Sequence, residues 1–161
     1  MKRSEINRYI QDAVTFFAVN NFRLPAWATT TPAEWKAMAA TGNYNEIINN
    51  QLGWDVTDFG KGCFGQEGLL LFTIRNGSLD DGTKGKTYCE KIMISQVNQQ
   101  TPNHFHWNKM EDIINRAGGD ACHSTLESER TGRENRLFIY RTGRWSDPLS
   151  SWRGFGSFAA G

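Results

Sequence analysis

Residues 101–119 read TPNHFHWNKMEDIINRAGG, and this stretch places two histidines and a carboxylate within eight positions. His104 and His106 are separated by one residue, so in a β-strand, where side chains alternate between faces, both imidazoles point the same way. Glu111 follows a few residues later. Two imidazoles on one face with a nearby carboxylate are a common ligand set for one divalent cation that keeps open coordination positions. The spacing therefore predicts a metal site.

The alternative is that both histidines pack at the edge of the core beside Phe105 and Trp107, each with one ring nitrogen hydrogen-bonded. For an isolated pair of this kind, packing is the commoner outcome. Here four residues separate His106 from Glu111 and six more precede Gly118. This longer spacing favours the metal site over simple packing.

Composition restricts the classes of protein that the chain can belong to. Its 161 residues are enough for one domain with a core and too few for two of typical size. A net charge of +1 without a long basic run argues against nucleic acid as a partner. No apolar stretch approaches the roughly 20 residues that span a bilayer, and the N-terminus lacks the apolar segment of a signal peptide. We expect no membrane partner and a cytoplasmic location.

The cysteines carry no predicted chemistry. Cys63, Cys89 and Cys122 form no CxxC pair, and an odd number argues against a disulfide framework. Cys89 lies in an apolar strand pattern, so it is predicted to be a small core residue.

Helical signals are confined to the first 50 residues. Apolar positions recur at three- and four-residue steps from Ile6 to Phe17, which predicts a helix with one buried stripe and Ser4 as its N-cap. Thr31, Pro32 and Glu34 form a capping-box pattern that predicts a second helix through about Ala40.

Strand signals begin at Trp54. WDVTDFG (54–60), GLLLFTIRNG (68–77) and KTYCEKIMISQV (86–97) alternate or are continuously apolar, and HFHW (104–107) follows. Helices followed by short antiparallel strands predict a mainly β fold, a sandwich or jelly-roll, with an N-terminal helical layer. We therefore divide residues 1–120 into helices over 4–50 and strands over 54–120.

The histidine–glutamate–glycine spacing resembles the first metal motif of the cupins, small β-barrels whose ligands project into the barrel. That motif has a glycine six residues before the first histidine, where this chain has Asn98. Asparagine tolerates the left-handed backbone conformation that would explain a glycine, so the departure is a small one.

A denser resemblance covers residues 1–120. MKRSEIN, GWDVTDFG, GLLLFTIRNG, YCEKIMI and TPNHFHWNKMEDIINRAGG resemble the D-lyxose ketol-isomerase family of the cupin superfamily. The resemblance implies a cupin-like jelly-roll barrel, here incomplete. It also implies an aldose–ketose isomerase that interconverts D-lyxose and D-xylulose by proton transfer through an enediolate. A divalent metal, typically manganese, a small-molecule sugar substrate and a homodimer are implied as well.

Such an isomerase needs a Lewis acid and a proton-transferring group. His104, His106 and Glu111 would be three ligands of a metal that stabilises negative charge on the sugar oxygens. A carboxylate or a lysine can serve as the base near neutral pH, and Lys109 and Glu111 are the catalytic candidates. Lys109 could instead be a solvated surface residue, and Asp112 could orient a ligand histidine or be solvated.

Aromatic side chains on the strands could line a sugar pocket, although aromatic residues in strands more often belong to the core. The candidates are Phe59, Phe72, Phe105 and Trp107.

The resemblance stops after Asp120. Residues 121–161 contain six arginines and no lysine, whereas residues 1–120 contain seven lysines and five arginines. The fourth ligand histidine that the family carries downstream has no recognisable counterpart, and the surroundings of His123 do not favour it. A divergent, disordered tail is one explanation, and we predict a reading-frame shift or truncation in preference to it.

Two alternative functions stay open. One is an inactive metal- or sugar-binding cupin remnant that lacks the C-terminal barrel strands. The other is a different cupin enzyme, such as an iron dioxygenase, which the resemblance disfavours.

Overall fold

A computed structural model of the chain describes residues 1–77, 88–104, 111–118, 121–124 and 139–142. The helices come first: α1 (Arg3–Val19), a short 3₁₀ helix (Ala26–Thr29), α2 (Pro32–Ala40) and α3 (Asn45–Asn49). The strands follow: β1 (Gly53–Thr57), β2 (Leu69–Arg75), β3 (Glu90–Ile94), β4 (Ala121–Ser124) and β5 (Ile139–Thr142). The predicted order of helices before strands is confirmed within these residues.

The N-cap of the long helix α1 lies two residues before the predicted one. Lys2 is the N-cap residue, and its backbone N–H donates to the Glu5 carboxylate over 2.6 Å. Ser4 lies inside the first turn, so its prediction as N-cap was wrong. The reason is that Glu5 occupies the third helical position and satisfies the N–H of Lys2 directly. The helix buries Ala13 and Phe17, two members of the predicted stripe.

Helix α2 begins as predicted. Its capping box is complete, because the Thr31 hydroxyl accepts from the Glu34 N–H at 3.3 Å and the Glu34 carboxylate accepts from the Thr31 N–H at 2.8 Å. Pro32 occupies the first turn, where its missing N–H costs nothing. The Thr31 hydroxyl also donates to the Glu34 carboxylate over 2.7 Å. This hydrogen bond first, and the one from the Thr31 N–H second, hold the pKa of Glu34 below its usual value.

The three strand segments β1, β2 and β3 form one antiparallel sheet in that order. Alternation places Trp54, Leu70, Phe72, Ile92 and Ile94 on the face that packs toward the helices. Four consecutive residues of the central strand, from Leu70 to Thr73, are buried. Both faces of β2 are therefore covered.

Phe72 is the centre of the aromatic core. It is 0% exposed, and its ring lies 5.0 Å from that of Trp27 and 4.9 Å from that of Trp54. The Trp54 indole N–H donates to the Ala28 carbonyl over 2.7 Å, which fixes the 3₁₀ helix against β1. Phe72 therefore belongs to the core, which is the commoner role of aromatic residues in strands.

A turn after β1 encloses a buried carboxylate. Asp58 is 7% exposed and accepts from the N–H groups of Gly60 at 3.1 Å and Gly62 at 3.2 Å. The Met1 ammonium lies 3.6 Å away. Burial raises the pKa of Asp58, but the Gly60 N–H, the ammonium and the Gly62 N–H together outweigh burial, so the pKa lies below its usual value.

The described residues hold a three-stranded antiparallel sheet together with helices, so their content is mixed rather than mainly β. Strands β4 and β5 pair antiparallel with each other. Both lie after residue 120, in the segment that the sequence analysis sets apart from residues 1–120.

Cys89 is exposed, so its prediction as a core residue was wrong. Among the described helices, none has the length and apolar character that crossing a membrane requires.

Candidate functional site

The histidine-bearing segment is reached through a tight loop after β3. Asn98 in this loop has a φ of +61°, so it adopts the left-handed conformation that the sequence predicts for this residue. Gln99 and Thr101 are buried, and the chain then runs through Pro102 to His104. The segment therefore leaves the sheet with its first residues packed into the protein.

Two loops meet just before the histidines. The side-chain amide of Gln99 donates to the Phe64 carbonyl over 2.5 Å, and its oxygen accepts from the Gln96 N–H at 2.9 Å. The backbone joins the same loops, because Gly68 N–H donates to the Gln100 carbonyl and Gln100 N–H to the Gln66 carbonyl. Sequence analysis did not predict a role for Gln99, since a partner 35 residues away leaves no local signal.

His104 is half-buried, and the structure records a backbone contact of its ring. Nδ1 lies 2.9 Å from the Pro102 carbonyl oxygen, and since a carbonyl only accepts, the ring donates there. In the neutral imidazole this hydrogen bond puts the proton on Nδ1 and the lone pair on Nε2. That tautomer is the one in which a histidine ligates a metal through Nε2 while its other nitrogen is held by the protein.

Glu111 is half-buried in the irregular segment 111–118, and Asp112 beside it is exposed. His106 and Lys109 lie outside the described residues, as do Phe105 and Trp107. Over the part of the chain that the structure describes, no group of three His, Cys, Asp or Glu side chains converges on one point. The predicted triad needs His106, so it stays a prediction.

An imidazole with its lone pair on Nε2 and a partly buried carboxylate are donors of the kind that manganese, iron and zinc accept. The two described members of the predicted triad, His104 and Glu111, therefore fit a divalent cation by their chemistry.

Two depressions flank the edge strand β1. One is apolar and lined by side chains that include Trp27, Trp35, Ile47, Trp54 and Phe72. The other is polar and is lined by residues that include Asp55, Thr73, Asn76 and Lys91. Phe59, a candidate for a sugar pocket, is 40% exposed and lines neither depression.

Comparison with known proteins decides the family. The sequence model of D-lyxose isomerase matches residues 1–143. This chain belongs to the D-lyxose isomerase family. The match includes every predicted site residue from His104 to Glu111, and it continues past the residue-120 boundary into the segment that holds β4 and β5.

Two curated relatives of this D-lyxose isomerase family member are named "D-lyxose/D-mannose isomerase". The protein from Escherichia coli O157:H7 is 47% identical over 120 residues, and the one from Serratia proteamaculans is 46% identical over the same length. Each alignment covers 74% of this chain and 52% of the relative. The chain thus spans about half the length of the curated relatives that it matches.

Proposed function

We propose that this chain carries the metal-binding region of an aldose–ketose isomerase that interconverts D-lyxose and D-xylulose. The observation that carries the proposal is the family match over residues 1–143, which contains the histidine–glutamate motif. The two relatives support the same reaction class through their names. D-Mannose, which has the D-lyxose configuration at the carbons next to its carbonyl group, is a second substrate to test.

Two structural observations support a cupin-like barrel for this region. The central strand β2 is buried on both faces, as a strand in a two-layer or closed β-structure is. Asn98 holds a left-handed conformation at the position where the cupin motif has a glycine. The backbone requirement of the motif is therefore met by a different residue.

We propose His104, His106 and Glu111 as the ligands of a divalent cation, with Mn²⁺ as the cation to test first. When bound, the cation would supply Lewis-acid stabilisation of the negative charge on the sugar oxygens. The Pro102 carbonyl holds the His104 ring through Nδ1 and so orients Nε2 for ligation.

The reaction also needs a group that moves a proton between C2 and C1 of the sugar. Lys109 and Glu111 are the proposed candidates, and they differ in the pKa change that each would require to act as a base. A lysine must lose its proton to act as a base, so its pKa must fall, whereas a carboxylate is already ionised at neutral pH. Lys109→Met tests the lysine and Glu111→Gln tests the carboxylate. Because Glu111 is also a proposed ligand, the bound metal of each variant is measured together with turnover, and only a variant that keeps its metal and loses turnover identifies the base.

The experiment combines metal content with turnover. Purified protein is loaded with Mn²⁺, freed of excess metal, analysed for bound metal, and incubated with D-lyxose or D-mannose while ketose is measured. We expect bound Mn²⁺ and ketose formation from the unmodified chain, and loss of both in His104→Gln. His123→Gln is the matched control, because it removes the remaining histidine outside the motif and should change neither readout.

The second candidate function is metal or sugar binding without turnover. It is favoured by the alignment lengths, because about half of each relative has no counterpart in the matched region. This candidate predicts metal uptake that depends on His104 but no ketose. If His104→Gln retains the full metal content of the unmodified chain, the metal site is wrong, and both the metal-dependent isomerase and the metal-binding candidate fail.

A further inference from the structure

We propose that Gln99 is a positioning residue for His104, so that its buried amide sets the affinity of the metal site without touching the metal. The inference rests on the proposed metal-binding function. It concerns a residue to which neither the motif nor the resemblance assigns a role.

The Gln99 side chain makes tertiary contacts where a surface glutamine would be solvated. It is 1% exposed, and it and Phe72 are the two largest fully buried side chains among the described residues. Both of its polar ends are used: the oxygen accepts from Gln96 N–H, and the nitrogen donates to the carbonyl of Phe64. A buried amide whose partners are both satisfied fixes the position of its backbone, because any displacement leaves a buried polar group unpaired.

Backbone hydrogen bonds on either side of Gln99 join the same two loops. Gln100 bonds to Gln66 at 2.8 Å and to Gly68 at 3.0 Å, and Glu67 and Gln100 form an isolated parallel bridge. Gly68 makes the contact possible, since a Cβ there would lie 2.6 Å from the Phe64 carbonyl and 2.7 Å from the Gln99 amide nitrogen. The loop after β3 is thus anchored at residues 99 and 100.

Only three residues separate this anchor from His104. Thr101 is 6% exposed, and Pro102 holds the imidazole by accepting from Nδ1. The ring is therefore fixed to its own segment, and that segment is fixed to the protein through Gln99 and Gln100. Glu111 comes from a later segment, so the position of His104 relative to the carboxylate depends on this anchor. Loosening the anchor should weaken metal binding even when the fold persists.

The test measures metal affinity and local opening in the same variants. Gln99→Met keeps the length of the side chain and removes both hydrogen bonds. Phe17→Leu is the matched control, because Phe17 is 2% exposed and its ring packs against Phe22 and Trp54. Mn²⁺ affinity is measured by calorimetry well below the unfolding temperature, and hydrogen exchange reports the amides of Gly68 and Gln100.

We expect Gln99→Met to weaken Mn²⁺ binding about tenfold or more, the scale seen when a residue supporting a ligand is removed. The Gly68 and Gln100 amides should exchange faster in that variant, and Phe17→Leu should leave the affinity unchanged. If Gln99→Met does not fold, Gly68→Ala opens the same contact from the other loop and should give the same loss.

Two results overturn different claims. If the unmodified chain binds Mn²⁺ and Gln99→Met binds it equally well, the positioning role is wrong while the metal site stands. An equal loss in Gln99→Met and Phe17→Leu also overturns the positioning role, because general destabilisation then explains it. If the unmodified chain takes up no metal, the proposed metal-binding function fails first.

Discussion

Asn98 adopts a backbone conformation that few residue types tolerate. Its φ of +61° is one that glycine adopts freely, asparagine tolerates and alanine resists. We expect Asn98→Ala to lower the free energy of unfolding by about 1 kcal/mol, whereas Asn98→Gly should change it by only a few tenths. Urea denaturation of the two variants measures the difference. Equal stability of the alanine and glycine variants would contradict the strained conformation.

Asp58 makes stability depend on pH. Because its pKa in the folded protein is lowered, the ionised carboxylate stabilises the fold above the unfolded-state value of about 3.9. That contribution is lost as the pH falls through the lower, folded-state pKa. We expect Asp58→Asn to be destabilising at neutral pH, with a difference from the unmodified chain that shrinks below about pH 4.

The measurement is urea denaturation of both proteins at several pH values. Asp55→Asn on the exposed side of β1 is the control and should cost little at any pH. A difference between Asp58→Asn and the unmodified chain that stays constant from neutral to acid pH would show that the carboxylate charge is not involved.

At the level of elements, α2 depends on local chemistry at its first turn. Thr31→Ala removes the hydroxyl that accepts from the Glu34 N–H, so we expect a loss of about 1 kcal/mol in unfolding free energy. Thr31→Ser keeps the acceptor and should cost much less.

The capping box also makes stability depend on pH. Because the hydrogen bonds from Thr31 lower the pKa of Glu34, the contribution of Glu34 to stability is present above its unfolded-state pKa and is lost as the pH falls through its folded-state pKa. Thermal unfolding of both variants at neutral and acid pH measures these effects. If Thr31→Ala and Thr31→Ser are equally stable, the Thr31 hydroxyl contributes nothing as a cap.

The elements also show where sequence reasoning succeeds and where it stops. Thr31, Pro32 and Glu34 lie within four positions, and their helix start was predicted because every partner is local. Ser4 was the wrong N-cap because Lys2 occupies that position, with its backbone N–H bonded to the Glu5 carboxylate. Cys89 has an apolar strand pattern around it, yet its exposure depends on which tertiary neighbours cover that end of β3, and the sequence does not encode them locally.

The same distinction between local and distant contacts applies to the candidate site. Spacing and the family resemblance together predict the roles of His104 and Glu111, and the hydrogen bond from His104 to Pro102 is a local contact that suits the predicted role. Gln99 was missed because its partner Phe64 lies in another loop. The roles of His106 and Lys109 stay predictions, as does the homodimer that the resemblance implies.

At the scale of the whole molecule, Phe72 connects three parts of the core. Its ring contacts the 3₁₀ helix through Trp27 and strand β1 through Trp54, while its backbone lies in β2. We expect Phe72→Ala to cost about 3–5 kcal/mol, a large share of the roughly 5–15 kcal/mol typical of a domain.

Denaturant unfolding followed by tryptophan fluorescence measures this loss, since two of the contacting rings are indoles. Phe59→Ala, at a side chain that is 40% exposed, is the control and should cost little. If the two variants lose equal stability, Phe72 does not have the central role that its burial indicates.

The crowding around Gly68 has a consequence for anyone who randomises this protein. A Cβ at that position would lie 2.6 Å from the backbone oxygen of Phe64, a group that cannot rotate out of the way. In a saturation library selected for folding, position 68 should therefore return glycine alone, while Gly60 and Gly62, whose Cβ positions meet no neighbour within 4 Å, should accept asparagine. Recombination crossovers that separate residue 68 from residue 99 should then produce mostly misfolded chimeras, because the two loops fit together only through the close contact at Gly68.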